Sequence, residues 1–309
     1  MVASYQQHLC RVEMRTSQMR AGAYRSSVGH PFVYILTVAL ALASVSSEAF
    51  GQGTPVVAPV GPTRTVSVRS DPRSVYRVSL AVDLPVTAAS GLAVLIPYAL
   101  SQRLIRQRCP CDPGEVDRFD RRAIGNTSRA ANLLSDVTVG LGIAVPAVLD
   151  ALALGLSRPL FEDALVFTET LALNGALVTA AKYSVQRPLP RTYAGDRVLT
   201  HKPGGYRSFY SGHTSMIFSA LSATAMTLRL RYGERYWPWL GTLLIGASVA
   251  VERVADGRHF PTDVMLGAAM GTLVGIAVPW LHARPDSFVH GMFATPVAGG
   301  ASIGWLKAL

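Results

Sequence analysis

Beyond residue 78 the chain alternates long apolar runs with short polar clusters, and the apolar runs set its architecture. Six of them, at roughly 79–101, 131–154, 163–185, 209–230, 237–255 and 262–281, approach the ~20 residues with which a helix crosses a ~30 Å hydrocarbon layer. The pattern predicts an all-α chain, a six-helix transmembrane bundle. Polar residues inside the runs, Asp83, Asp136, Glu169 and Asn174, make them weaker spans than those of a channel. A soluble helical bundle that buries the same segments therefore stands as the alternative. The last run carries Gly267-Ala-Ala-Met-Gly271 and then Gly275, a stripe of small residues that lets helix backbones approach closely.

Ahead of these runs, residues 1–31 hold four Arg and lead into an apolar stretch from Phe32 to Val45, followed by small residues up to Gly51. That order predicts a signal peptide cut after Gly51, or an uncleaved signal anchor, over 1–51. Residues 52–78, rich in Pro, Gly, Ser, Thr and Val, read as an extended linker, 79–281 as the helical domain, and 282–309 as a Gly/Ala-rich tail without a role. Between the first two runs, residues 102–130 contain seven Arg, four acids and Cys109-Pro-Cys111. No further Cys or nearby His completes a zinc set, so the pair reads as two ordinary thiols or a local redox pair, with a strained disulfide as the alternative. Asp112, Glu115, Asp117 and Asp120 do not follow a calcium-loop pattern, and the segment reads as a solvated cover over a site entrance.

Composition strengthens the membrane reading. Half of the 309 residues are apolar and 16% are charged, and the mean hydropathy is positive, which is unusual for a soluble enzyme. The net charge of +10 comes mainly from Arg spread through loops. It lacks the dense basic runs and interleaved aromatics of a nucleic-acid surface, and points to anionic headgroups or phosphates instead. With three Cys there is no disulfide framework.

Three polar clusters at predicted helix ends carry the candidate chemistry. They read Lys182-Tyr-Ser-Val-Gln-Arg187-Pro188, Phe209-Tyr-Ser211-Gly212-His213, and Arg253-Val-Ala-Asp-Gly-Arg-His259-Phe-Pro-Thr-Asp263. A Lys, two Arg and two His among apolar helices are costly unless paired or used on a bound ion, so they point to an anion site. A phosphate needs neutralised oxygens, a nucleophile and a proton for the leaving alcohol. Lys182, Arg187 and Arg253 supply cations, and the Ser211 hydroxyl and Gly212 N–H supply neutral donors at a helix start. Pro261 suits a first turn, so Asp263 falls one turn beyond His259 on the same face, where it is expected to hold the imidazole for attack.

The three clusters resemble the signature motifs of the type 2 phosphatidic acid phosphatase (PAP2) and vanadium haloperoxidase superfamily, over roughly residues 130–280. The family usually places six residues between its Lys and Arg-Pro, and this chain has four; a register that keeps six sets Leu189-Pro190 there and leaves Arg191 as the substitute cation. Glu252 and Tyr210 stand where the family usually has Ser and Pro. The resemblance implies His259 as nucleophile, His213 as general acid and then base, Asp263 as the partner of His259, and no metal or cofactor. It implies hydrolysis of a phosphomonoester or pyrophosphate on a lipid such as phosphatidic acid, a prenyl pyrophosphate, phosphatidylglycerophosphate or lipid A. The substrate and the membrane are then the expected partners. A vanadate-dependent haloperoxidase and a non-catalytic anion carrier are the alternatives. The resemblance also suggests a bacterial-type inner membrane with the site on the periplasmic face. A cleaved leader followed by six crossings would instead put the Lys182 and Ser211 ends in the cytoplasm, as the Arg-rich 102–130 loop also would.

Overall fold

The protein, seen in a computed structural model, is described over residues 74–285, 292–297 and 300–305. The expected leader, and the linker up to residue 73, lie outside the described residues. Six long helices organise the rest: α1 (Leu80–Ala99), α2 (Arg129–Leu154), α3 (Arg158–Val185), α4 (Gly212–Tyr232), α5 (Trp237–Ala255) and α6 (Pro261–His282). Each apolar run of the sequence has become one of them. A two-stranded antiparallel hairpin follows the bundle, β1 (Met292–Val297) against β2 (Gly300–Trp305), with Met292 opposite Trp305.

The helix boundaries have local causes. α3 starts earlier than its apolar run because Ser157 accepts from the Leu160 N–H at 3.4 Å and Pro159 sits in the first turn. The acids that hid this start are buried partners: Glu162 pairs with Arg158 at 2.9 Å, and Asp163 with Arg231 at 2.7 Å. Ser211 caps α4, whose other end stops at Gly233 with φ of 82°.

α4 is the axis of the bundle, packed against α2, α3, α5 and α6, while α1 lies on α3. Being surrounded, it has no clean apolar stripe, and Ser215, Ser219 and Ser222 are all buried. The small-residue stripe of α6 faces it. A Cβ added to Gly267, Gly271 or Gly275 would lie 2.8, 2.2 or 2.5 Å from the carbonyl oxygens of Ser211, Ser215 and Ser219. Only glycine permits that approach.

α1, α2, α6 and α3 (taken with the turn to Tyr193) are long and apolar enough to cross a bilayer. α4 and α5 are not among them, so six long helices are not six strongly apolar spans. The outer helices turn large apolar side chains outward, including Leu95 of α1, Leu141, Leu149 and Leu152 of α2, and Leu244 of α5. This is the surface of a membrane protein, whose solvent-side neighbours are lipid tails.

Part of the expected linker is also structured. Tyr76 is buried, bridges Ala283 in extended pairing and hydrogen-bonds the Thr227 hydroxyl at 2.7 Å. Arg77 N–H donates to His282 O at 2.7 Å, which ties the entry of α1 to the end of α6.

Candidate active site

All three polar clusters meet at one end of the bundle, where α3 ends and α4 and α6 begin. Lys182 lies in the last turn of α3, which Gln186 closes in the left-handed region with φ of 50°. The chain then leaves through Arg187-Pro188 and is stitched to the second cluster: Ser208 N–H donates to Arg187 O, and Leu189 N–H to Gly205 O, both at 2.9 Å. The third cluster joins through Ser211 N–H, which donates to Asp263 O at 3.0 Å. Backbone bonds thus hold three segments far apart in sequence side by side.

His259 is buried, at 5% exposure, in the bend between α5 and α6. Its Nδ1 lies 2.7 Å from the Ser208 carbonyl oxygen, an acceptor only, so Nδ1 carries the proton and Nε2 keeps the lone pair. Asp263 is 3.9 Å from that nitrogen, beyond hydrogen-bond reach. The carboxylate instead accepts from Ser208 Oγ at 2.5 Å and from Phe260 N–H at 2.9 Å, the latter a helix cap for α6. The geometry therefore differs from the expected direct His–Asp pair: Asp263 fixes the Ser208 segment, and the Ser208 carbonyl fixes the ring. Burial pushes the His259 imidazole down to about 3, with the Lys182 and Arg253 charges acting the same way against Asp263. The ring is neutral near pH 7.

His213, in the first turn of α4, has its own carboxylate. Its Nε2 lies 2.7 Å from Asp136 Oδ1 of α2. The sequence showed Asp136 only as a polar interruption of an apolar run; that it faces His213 across seventy-seven positions needed the fold. The Lys182 and Arg253 charges act on both imidazoles.

The cations differ in how free they are. Lys182 Nζ spends one of its three donors on Arg207 O at 2.6 Å. Arg253 is buried among Asn132 and Ser135, at 3.1 and 3.0 Å from its Nη1, and its Nε is buried with no hydrogen-bond partner among the described residues. Its Nη1 also lies 3.7 Å from Asp136 and 3.8 Å from Asp256, and the Nε–H is a donor suited to an anion. Arg187 is committed elsewhere. It bonds Asp263 at 2.7 Å and Asp120 at 2.8 Å and stacks over the Phe260 ring at 4.0 Å. Arg191, the alternative, pairs with Asp196 at 3.0 Å and lies 3.7 Å from Asp256. Ser211 Oγ accepts from Thr214 N–H as the cap of α4, while Gly212 lies against the Lys182 stem, where a Cβ would be 3.6 Å from Cε. The first amides of α4 have no intrahelical partner and favour an anion there.

The 102–130 segment covers this end of the bundle. Buried Asp120 accepts from Arg187 and from both the N–H and hydroxyl of Thr262, the N–H at 3.0 Å. Cys109 N–H donates to the Tyr206 hydroxyl at 3.2 Å. Cys109 and Cys111 are joined as a disulfide, not left as two ordinary thiols.

Residues 163–286, most of α3 through α6, match the family model described as the PAP2 superfamily. The lipid A 1-phosphatase of Porphyromonas gingivalis is 34% identical over 113 residues, 36% of this chain and 22% of its own length. The bacitracin transport permease protein BcrC of Bacillus licheniformis is 33% identical over 87 residues, 28% of this chain and 39% of its own. The chain thus spans well under half the length of either relative. Among solved structures, Aquifex aeolicus LpxE is similar with a TM-score of 0.38 and 23% identity, over 56% of this chain and 98% of that one. A transmembrane PAP2-type phosphatidylglycerolphosphate phosphatase from Bacillus subtilis gives 0.41 and 19%, over 65% and 92%.

Proposed function

We propose, from a membrane bundle whose residues 163–286 match the PAP2 superfamily model, that the chain hydrolyses a phosphomonoester or pyrophosphate on a lipid through a phosphohistidine intermediate. The observation that carries this reading is the state of His259: buried, neutral, and held at Nδ1 by the Ser208 carbonyl so that Nε2 is the nucleophile. Nε2 attacks phosphorus while the bond to the leaving oxygen breaks. Lys182, Arg253 and the first amides of α4, including Gly212 N–H, take up the charge on the non-bridging oxygens. Ser211 orders those amides by capping the helix.

In its protonated form, with Nε2–H on Asp136 and a second proton on Nδ1, His213 delivers that Nδ1 proton to the leaving alcohol. It then accepts a proton there from the water that attacks the phosphohistidine, which releases phosphate and restores His259. Arg187 and Asp263 serve this chemistry by positioning: the Arg187–Asp263 pair anchors Ser208, and Ser208 orients the nucleophile. A lipid substrate suits a site at the end of membrane helices, where a headgroup reaches it and the tails stay in hydrocarbon. Lipid A of the kind named for the Porphyromonas gingivalis relative and phosphatidic acid both offer the required phosphomonoester.

The Cys109–Cys111 disulfide favours the outer face, because disulfides persist outside the reducing cytoplasm and this one lies in the segment covering the site. With six alternating helices, an outer site starts α1 from the inner side, so the 1–51 segment would then not be a cleaved leader.

The test replaces His259 with Ala in the full chain and assays phosphatidic acid and lipid A in detergent. Hydrolysis is expected to fall by at least about a thousandfold, with inorganic phosphate binding largely retained because Lys182 and Arg253 remain. Hydrolysis at the parental rate would refute the assignment.

A further inference from the structure

At the opposite end of the bundle three ionisable side chains from three helices converge without hydrogen-bonding one another. They are Asp83 in the first turn of α1, Glu169 in the middle of α3 and His282, the last residue of α6. Nineteen residues of α6 separate His282 from Asp263, about 28 Å along the helix. The cluster is therefore remote from the site described above.

His282 Nε2 lies 3.6 Å from Asp83 Oδ1 and 3.6 Å from Glu169 Oε2, and all three atoms fall within 4.8 Å of one another. These separations are too long for hydrogen bonds. The two distances from His282 are close to the roughly 3.3 Å between neighbouring ligands of a tetrahedral ion bound at 2.0–2.1 Å.

The surroundings prepare the ligand atoms individually. His282 Nδ1 is 2.8 Å from the Val278 carbonyl oxygen and must donate to it, which leaves the Nε2 lone pair aimed at the two carboxylates. Asp83 uses its other oxygen to accept from Ser79 N–H at 2.7 Å, which orients the one facing His282. Glu169 is 6% exposed, and its Oε2, the atom facing His282, is buried with no hydrogen-bond partner among the described residues. A buried carboxylate oxygen aimed at a lone pair and at a second carboxylate is repelled from both sides unless a cation lies between them.

Charge balance agrees. Among the described residues, the charges acting on Glu169 are those of His282 and Asp83. With both carboxylates ionised, even a protonated His282 leaves a net negative charge among apolar helices. A divalent cation with a neutral imidazole and two carboxylates brings the cluster to zero, which a low-dielectric bundle requires.

We propose that Asp83, Glu169 and His282 bind a divalent transition metal, zinc by preference, which ties α1, α3 and α6 together. One imidazole with two carboxylates is a donor set that suits zinc better than calcium or magnesium, which take oxygen ligands alone. His282, with its side chain 14% exposed, leaves a coordination position open to water. The role is structural, because the ion would sit far from His259.

The full chain, purified in detergent and stripped with a chelator, is loaded with zinc chloride and passed through gel filtration. About one equivalent of zinc should remain, and the thermal midpoint should rise on the order of 5 °C over the stripped protein. Glu169→Gln, nearly isosteric, should lose at least nine-tenths of the retained zinc and the whole thermal response, with phosphatase activity unchanged. His282→Gln should behave alike. Stripped wild-type protein that is folded yet retains less than a tenth of an equivalent overturns the site. So does a Glu169→Gln protein that retains as much zinc as its parent.

Discussion

His259 shows how one side chain is given its state by its surroundings. Burial holds its folded value near 3, below the ordinary 6.5, so between these limits the unfolded chain binds a proton that the folded chain refuses. The sign follows: this group costs no stability above about pH 6.5, and stability falls as pH drops from there toward 3, at up to about 1.4 kcal/mol per pH unit. Denaturation midpoints in detergent across pH 7 to 4 measure it, and replacement of His259 by Gln, which cannot titrate, should flatten the slope. A slope unchanged by the substitution would assign the loss to other groups. Arg187 carries the opposite lesson. Its residue type and position beside Pro188 suggested a phosphate grip, but the fold offers it Asp263, Asp120 and the Phe260 face, and a guanidinium with two buried carboxylates has little left for a substrate.

Among the elements, the α4–α6 contact does most to place the chemistry. Ser211 and His213 begin α4 and Asp263 begins α6, so the distance between these helices sets the distance between the groups they carry. The glycine stripe sets that distance. Gly271 has the least room, with a Cβ position 2.2 Å from Ser215 O, and backbone cannot swing aside as a side chain can. Gly271→Leu is expected to cost about 1–3 kcal/mol or more in stability and to lower kcat, although it lies two turns along α6 from Asp263. Equal midpoints and rates for this variant and its parent would show that the helices can separate without consequence. The stripe was legible in the sequence from its spacing, but its partner was not, because serines on a surrounded helix look the same whether they face glycine or lipid.

At the scale of the whole molecule, the site end of the bundle and the disulfide-bearing segment over it must share one side of the membrane. A reporter fused near Gly204 is expected to be active on the outer side; cytoplasmic activity there would overturn the assignment and make the Arg content of 102–130 the better guide. What the sequence by itself determined was the number and place of the long helices and the identity of the three polar clusters, because helix length and local spacing are properties of contiguous residues. Only the tertiary structure decided which carboxylate serves which imidazole. Asp263 lies one turn from His259 yet acts through Ser208, fifty-five positions away, and His213 takes its partner from α2. Partner choice depends on where backbone carbonyls and buried side chains arrive when helices pack, and no local pattern records that.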